Sequence, residues 1–180
     1  EGIGNTLKGI ALLVGLGSMF GAILEESGGA QTLAVTMVRQ GQADLLMKGL
    51  LHTDTLLRAV LNKETGILPK GNVLTHIAVA QMPQYHKLLF FTDAAVIPYP
   101  TPEQRTEQIK YVTALCRQFG IAEPKIALIH CSEHGDERHF PCTADYLEQK
   151  KRAEEGFFGP VRIDGPLDLK TSCSPASKFG

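Results

Sequence analysis

From about Val35 to Lys170, short apolar runs of strand length alternate with amphipathic stretches of helical spacing. That alternation limits the fold more than any other feature. "ADLLM" (43–47) reads as a strand. Behind it, "HTDTLLRAVLNKETG" carries Leu56, Leu57, Val60 and Leu61 at helical spacing, opened by Thr53 as N-cap and closed by Gly66. "NVLTHIAVAQ" and "KLLFFTDAAV" are two β-rich runs separated by "MPQYH", which reads as a hairpin or a tight connection. Thr101-Pro102-Glu103-Gln104 is a clear helix start, with a capping threonine, proline at the first helical position and glutamine at the third; Ile109, Val112, Leu115 and Phe119 follow, up to Gly120. "KIALIH" is the next strand, Pro141 to Glu155 the next helix, ending at Gly156, and "PVRID" returns to strand before "GPLDLK". The expectation is an α/β fold with helices covering a largely parallel sheet.

With 180 residues, 43% hydrophobic and 21% charged, the chain has enough apolar material for one domain or two small ones. A formal net charge of −1 supplies no global basic field, so nucleic acid is not an expected partner and any anion site must be local. Cys116, Cys131, Cys142 and Cys173 include no C-x-x-C pair, and no cleavable signal pattern is evident, which fits a reducing cytoplasm.

The first residues differ from the rest. From Gly9 to Leu24 no charge appears, and as a helix this stretch would cover about 24 Å, just short of a bilayer's hydrocarbon core. Gly17 and Gly21 form a small-xxx-small pair suited to close helix approach in membranes. A strand, glycine turn and helix at a dinucleotide phosphate is an alternative, but the acidic residue such a site requires does not follow in place.

Lys48 stands at the end of the "ADLLM" run, followed by Gly49, which permits close backbone approach. Thr53 offers a hydroxyl and free amides at a helix start, and Arg58 lies about one and a half turns further on. Together they suit a phosphate or acyl phosphate at the carboxyl end of a strand. The competing reading is structural: Asp54 and Arg58 are spaced for an i,i+4 surface pair, and Lys48 for a solvated strand end.

"GIGNTLKGIALLVGLGSMFGAILEESGGAQTLA" resembles a transmembrane segment and loop of the gluconate permease family, so residues 1–34 are expected to be a permease-like, chimeric or foreign N-terminus. Membrane contact is expected only if that segment inserts, and a permease fragment is the alternative function. "VRQGQADLLMKGLLHTDTLLRAVLNKETGI", "LTHIAVA", "LLFFTDAAVIPYPTPEQRTEQI" and "RIDGPLDLKTSC" resemble, in order and spacing, the phosphate acetyl/butyryltransferase family, nearest its butyryl branch, from about Val35 to Lys178. The resemblance implies a two-domain α/β fold of the isocitrate/isopropylmalate dehydrogenase type, incomplete at both ends, with parts of the two domains at 35–98 and 99–180. It also implies acyl transfer between coenzyme A and inorganic phosphate, and a homo-oligomer when complete.

Such chemistry requires a site that holds a dianion near a thioester carbonyl, neutralises the tetrahedral intermediate and lets a thiolate leave. The resemblance implies no metal or redox cofactor, the coenzyme A thioester being a substrate. It places Lys48, Gly49, Thr53, Arg58 and Thr92 in substrate binding and makes His76, Asp93 and Asp164 candidates for catalysis, although an Asp-Gly-Pro turn is also a common structural cap and His76 has the competing role of a packed, hydrogen-bonded residue. It also implies roughly a hundred further residues, carrying a serine-arginine dipeptide and a later aspartate, so that these 180 residues are expected to be weakly active or inactive alone. His130, Cys131, His134, His139 and Cys142 offer zinc-type donors, but their spacing fits no standard finger and the family stretch has no metal role.

Overall fold

The computed structural model describes residues 27–48, 52–83 and 85–174, which form a mixed α/β fold. The chain divides into two compact units, residues 1–72 and 73–180. The apolar stretch Gly9 to Leu24 and Gly49 lie outside the described residues.

In the first unit, helix α1 (Gly29–Arg39) packs against helix α2 (Thr53–Val60). One continuous helix thus runs across residues 34 and 35, where the sequence reading placed a change of organisation. Val35 is buried, and Arg39 Nη1 donates to the Glu64 carbonyl at 3.1 Å, tying α1 to the turn after α2. The expected strand "ADLLM" does not form. It has no strand partner among the described residues, and Leu45 and Met47 are 76% and 83% exposed.

Helix α2 is capped one residue earlier than expected: His52 takes the extended N-cap conformation and Thr53 is already helical. It ends at Val60 rather than near Gly66. The Asn62 side-chain carbonyl accepts from the Glu64 and Thr65 amides at 2.9 and 3.0 Å, so a local Asx-type turn outcompetes further helix.

In the second unit, strands β1 (Ala78–Ala80) and β2 (Leu89–Phe91) pair antiparallel, as the hairpin reading of "MPQYH" required, though each is far shorter than its β-rich run. Helix α3 (Pro102–Gln118) opens as expected. Gln104 N donates to Thr101 Oγ1 at 3.3 Å, and Thr101 N donates to Gln104 Oε1 at 2.9 Å. Its buried stripe is Ile109, Val112 and Cys116; Phe119 lies past the last turn, 54% exposed, edge-on to Phe90.

Strand β3 (Lys125–Ile129), helix α4 (Cys142–Glu154) and strand β4 (Arg162–Leu167) form a parallel βαβ unit, α4 packing on β4. Short helix α5 (Leu169–Cys173) follows, capped by Asp168. Among the described residues the expected largely parallel sheet is instead two two-stranded sheets, one antiparallel and one parallel. The core gathers Ile109, Leu128, Tyr146, Phe158, Val161 and Ile163.

The β3–β4 register shifts between Ala127 and Ile129, opposite Asp164-Gly165-Pro166. Gly165, at φ +148°, has room for no side chain: a Cβ there would lie 2.6 Å from Leu128 Cβ and 2.7 Å from the Leu128 carbonyl oxygen.

Candidate active site

Within the second unit, the loop before β1 and the loop after β2 meet at Asp93. Its Oδ2 accepts from Thr75 Oγ1 at 2.7 Å and from the His76 amide at 3.0 Å. Its Oδ1 accepts from the Ala95 and Val96 amides at 2.9 and 2.8 Å. Burial opposes the charged form, but the Val96, Ala95 and His76 amides and the Thr75 hydroxyl together outweigh it and hold the carboxyl well below the usual carboxylate range. Thr92 Oγ1 lies 3.2 Å from Thr75 Oγ1, and Gln108 Nε2, from the buried face of α3, donates to Thr75 Oγ1 at 3.3 Å.

Of the expected residues, the structure therefore brings Thr92, Asp93 and the backbone of His76 together, while the His76 residue itself is exposed. An aspartate that already accepts four hydrogen bonds is a fixed anchor, poorly set up to take a proton from substrate. Asp164 lies on β4, where its Oδ1 accepts from Lys150 Nζ of α4 at 2.7 Å and from the Gly165 amide at 3.0 Å. The Asp164 partnership, chiefly its hydrogen bond, raises the Lys150 pKa.

Lys48, Thr53 and Arg58 belong to the first unit and are exposed. Thr53 opens α2, whose N-cap His52 makes no side-chain capping bond, and Arg58 lies in that helix's last turn. Asp54 and Arg58 are not among the ion pairs of the described residues.

Gln108 was missed by sequence reasoning. The available signal was a polar residue on the stripe shared with Ile109 and Val112, buried to 4% exposure. Also missed was a polar seam between α3 and α4. Arg105 Nε donates to Asp145 Oδ2 while its guanidinium covers the Tyr146 ring; Gln149 Nε2 donates to Asp145 Oδ1 at 2.9 Å and to Thr106 Oγ1 at 3.1 Å. In the His/Cys-rich loop, His139 Nδ1 pairs with Asp136 at 2.8 Å and His130 Nδ1 accepts from the Ser132 amide at 3.1 Å. Among the described residues no three His, Cys, Asp or Glu side chains gather in a metal-binding group.

In this mixed α/β fold "TDAA" directly follows β2, and "DGPLDLK" runs from the end of β4 into α5. Residues 13–176 match the phosphate acetyl/butaryl transferase family, and the chain belongs to it. It is 36% identical over 141 residues to the phosphate butyryltransferase of Clostridium acetobutylicum, covering 78% of this chain and 46% of that protein. It is 32% identical over 141 residues to the phosphate acetyltransferase of Rhizobium meliloti, covering 78% and 44%. The crystal structure of a branched-chain phosphotransacylase from Enterococcus faecalis V583 is similar with a TM-score of 0.68 at 29% identity, over 80% of this chain and 50% of that one. The chain spans about half the length of the relatives it matches.

The family match begins inside the stretch expected to be permease-like. No helix among the described residues is long and apolar enough to cross a membrane. The permease alternative draws no support from either finding.

Proposed function

We propose that this chain supplies part of the substrate-handling machinery of an acyl-CoA:phosphate acyltransferase of the butyryl or acetyl class. The observation that carries this reading is the family match over residues 13–176, with the butyryltransferase of Clostridium acetobutylicum at 36% identity. In the reaction a phosphate oxygen attacks the thioester carbonyl, a C–O bond forms, the tetrahedral intermediate collapses, and the C–S bond breaks to release the coenzyme A thiolate. Lys48, Gly49, Thr53 and Arg58 are assigned to the phosphate or the anionic end of coenzyme A, a role favoured by two cations and an α2 N-terminus without a side-chain cap. Thr92 is assigned to substrate contact. Asp93 acts as the anchor that fixes Thr75, His76 and the 93–96 turn, and His76 and Asp164 remain the candidates for proton handling or charge orientation. The finer fold proposed is the two-domain isocitrate/isopropylmalate dehydrogenase type, acting as a homo-oligomer with acyl-CoA and phosphate as its partners and no further cofactor.

The test is thiol release from butyryl-CoA with phosphate or arsenate as acceptor. These 180 residues alone are expected to give no measurable turnover. The same chain joined to the part of the Clostridium acetobutylicum enzyme that has no counterpart here should turn over. In that joined protein, Lys48→Ala and Arg58→Ala should each raise KM for phosphate about tenfold or more, in line with loss of a charge-assisted hydrogen bond. Unchanged KM in both would remove the anion-site assignment.

A further inference from the structure

The hydrogen-bonding capacity of the Thr75 hydroxyl is fully used, and that fixes the direction of the protons around it. A threonine hydroxyl offers one proton and two lone pairs. Three polar groups meet Thr75 Oγ1: Asp93 Oδ2 at 2.7 Å, Thr92 Oγ1 at 3.2 Å and Gln108 Nε2 at 3.3 Å. The ionised Asp93 carboxylate can only accept, so it takes the single Thr75 proton. The Gln108 amide nitrogen can only donate, so it fills one lone pair. Thr92 meets the other, and its hydroxyl must therefore donate to Thr75.

Thr92 is left with no proton to give. Its two lone pairs meet no partner among the described residues, and the residue is half-buried rather than enclosed. A hydroxyl committed in this way repels an unprotonated phosphate oxygen or a carbonyl oxygen and accepts from an N–H or O–H. Gln108, buried on α3 beside Ile109, closes the remaining lone pair of Thr75 to solvent and so holds the arrangement in one state.

We propose that Thr92 is a hydrogen-bond acceptor toward substrate, directed at an N–H or O–H donor, and that Thr75 and Gln108 are the positioning residues that make it one. This rests on the reading of Thr92 as a substrate contact and adds the polarity of that contact. The two substrates of that reading carry such donors in the remaining O–H of hydrogen phosphate and in the amide N–H groups of the pantetheine arm of coenzyme A, and either presents the same chemistry to Thr92. The same geometry withholds a role. Thr92 supplies no proton to the oxyanion of the tetrahedral intermediate, whose charge must be met by other groups.

Two measurements test it. In the full 180-residue chain, NMR of the threonine hydroxyl protons reads their direction without any turnover. The Thr75 and Thr92 hydroxyl protons should exchange with water about tenfold more slowly than that of free threonine, and Thr75→Val should return the Thr92 proton to the free rate. Gln108→Met, which opens Thr75 to water, should speed both by about threefold or more. A Thr92 proton at the free rate in wild type, or rates untouched by either variant, would overturn the proposal. In the chain joined to the unmatched part of the Clostridium acetobutylicum enzyme, Thr92→Val should raise KM about fivefold for one substrate: for phosphate if the donor is its O–H, for butyryl-CoA if it is an amide N–H. Thr75→Val should raise the same KM by about threefold or more, and Thr75→Ser should restore it. Thr113→Val, the same change at a buried hydroxyl with no partner among the described residues, should leave both KM values as they are. Unchanged KM in Thr92→Val would remove the substrate contact itself. A rise in Thr92→Val without one in Thr75→Val, or equal rises in Thr75→Val and Thr113→Val, would refute the positioning. A joined protein without turnover would defeat the proposed function, and the hydroxyl rates would still decide the direction of the Thr92 proton.

Discussion

Thr75 Oγ1 donates to Asp93 Oδ2 at 2.7 Å, joining the segment before β1 to the turn after β2 across eighteen positions of sequence. The carboxylate completes the junction with three backbone amides, so the two loops share one fixed negative charge.

Asp93→Asn should destabilise the chain by about 2 kcal/mol, because an amide presents one acceptor oxygen where the carboxylate presents two. Urea denaturation at neutral pH measures it. The pH dependence has a definite sign. The folded pKa lies below the unfolded value, so this contribution is complete above roughly pH 4 and fades as pH falls toward the folded pKa. Wild type should lose more stability than Asp93→Asn on acidification below about pH 4.

Gly165→Ala should cost about 3 kcal/mol or prevent β3 and β4 from pairing, since the new methyl group would meet the Leu128 backbone at a φ that L-residues avoid. Hydrogen exchange at residues 125–129 separates simple destabilisation from loss of the parallel pair. Exchange and stability equal to wild type would show that the strand shifts freely.

Lys150→Met should cost at most about 1 kcal/mol, and salt should diminish the difference, because the pair with Asp164 is partly exposed. The raised Lys150 pKa makes its contribution present below about pH 10 and lost as pH rises through the folded value. If Asp164 handles charge in the reaction, Asp164→Asn in the completed enzyme should lower kcat far more than it lowers the urea midpoint. Parallel losses would mark Asp164 as structural.

Thr101→Ala should destabilise by about 1 kcal/mol through loss of the side-chain acceptor at the α3 N-terminus. The urea midpoint reads it, and Thr101→Ser should retain most of the stability.

Features specified within a few residues were legible in the sequence. The α3 start is one, because the Thr101–Gln104 exchange involves no other part of the chain. The hairpin and the βαβ segment 125–167 were legible for the same reason, each being bounded by local turn and cap signals. Strand extent was not, because it depends on partners distant in sequence: "ADLLM" has strand composition but no neighbour to pair with among the described residues, and "NVLTHIAVAQ" pairs over only Ala78–Ala80. At the site, "TDAA" marked the loop whose Asp93 turns out to accept four hydrogen bonds, yet its partner Thr75 and the Gln108 contact arise from tertiary packing that no spacing rule encodes.

Helix α3 addresses three different surroundings within five consecutive positions: Arg105 and Thr106 meet the α4 seam, Gln108 reaches Thr75, and Ile109 enters the core. Because each residue turns an α-helix by about 100°, these assignments hold for a single angular phase. The Thr101–Gln104 cap sets that phase by fixing which residue begins the helix. Its role is therefore rotational as much as energetic: one residue inserted between Thr101 and Arg105 would turn all three contacts away together, disconnecting the Asp93 junction from the α3–α4 seam while leaving the helix itself intact.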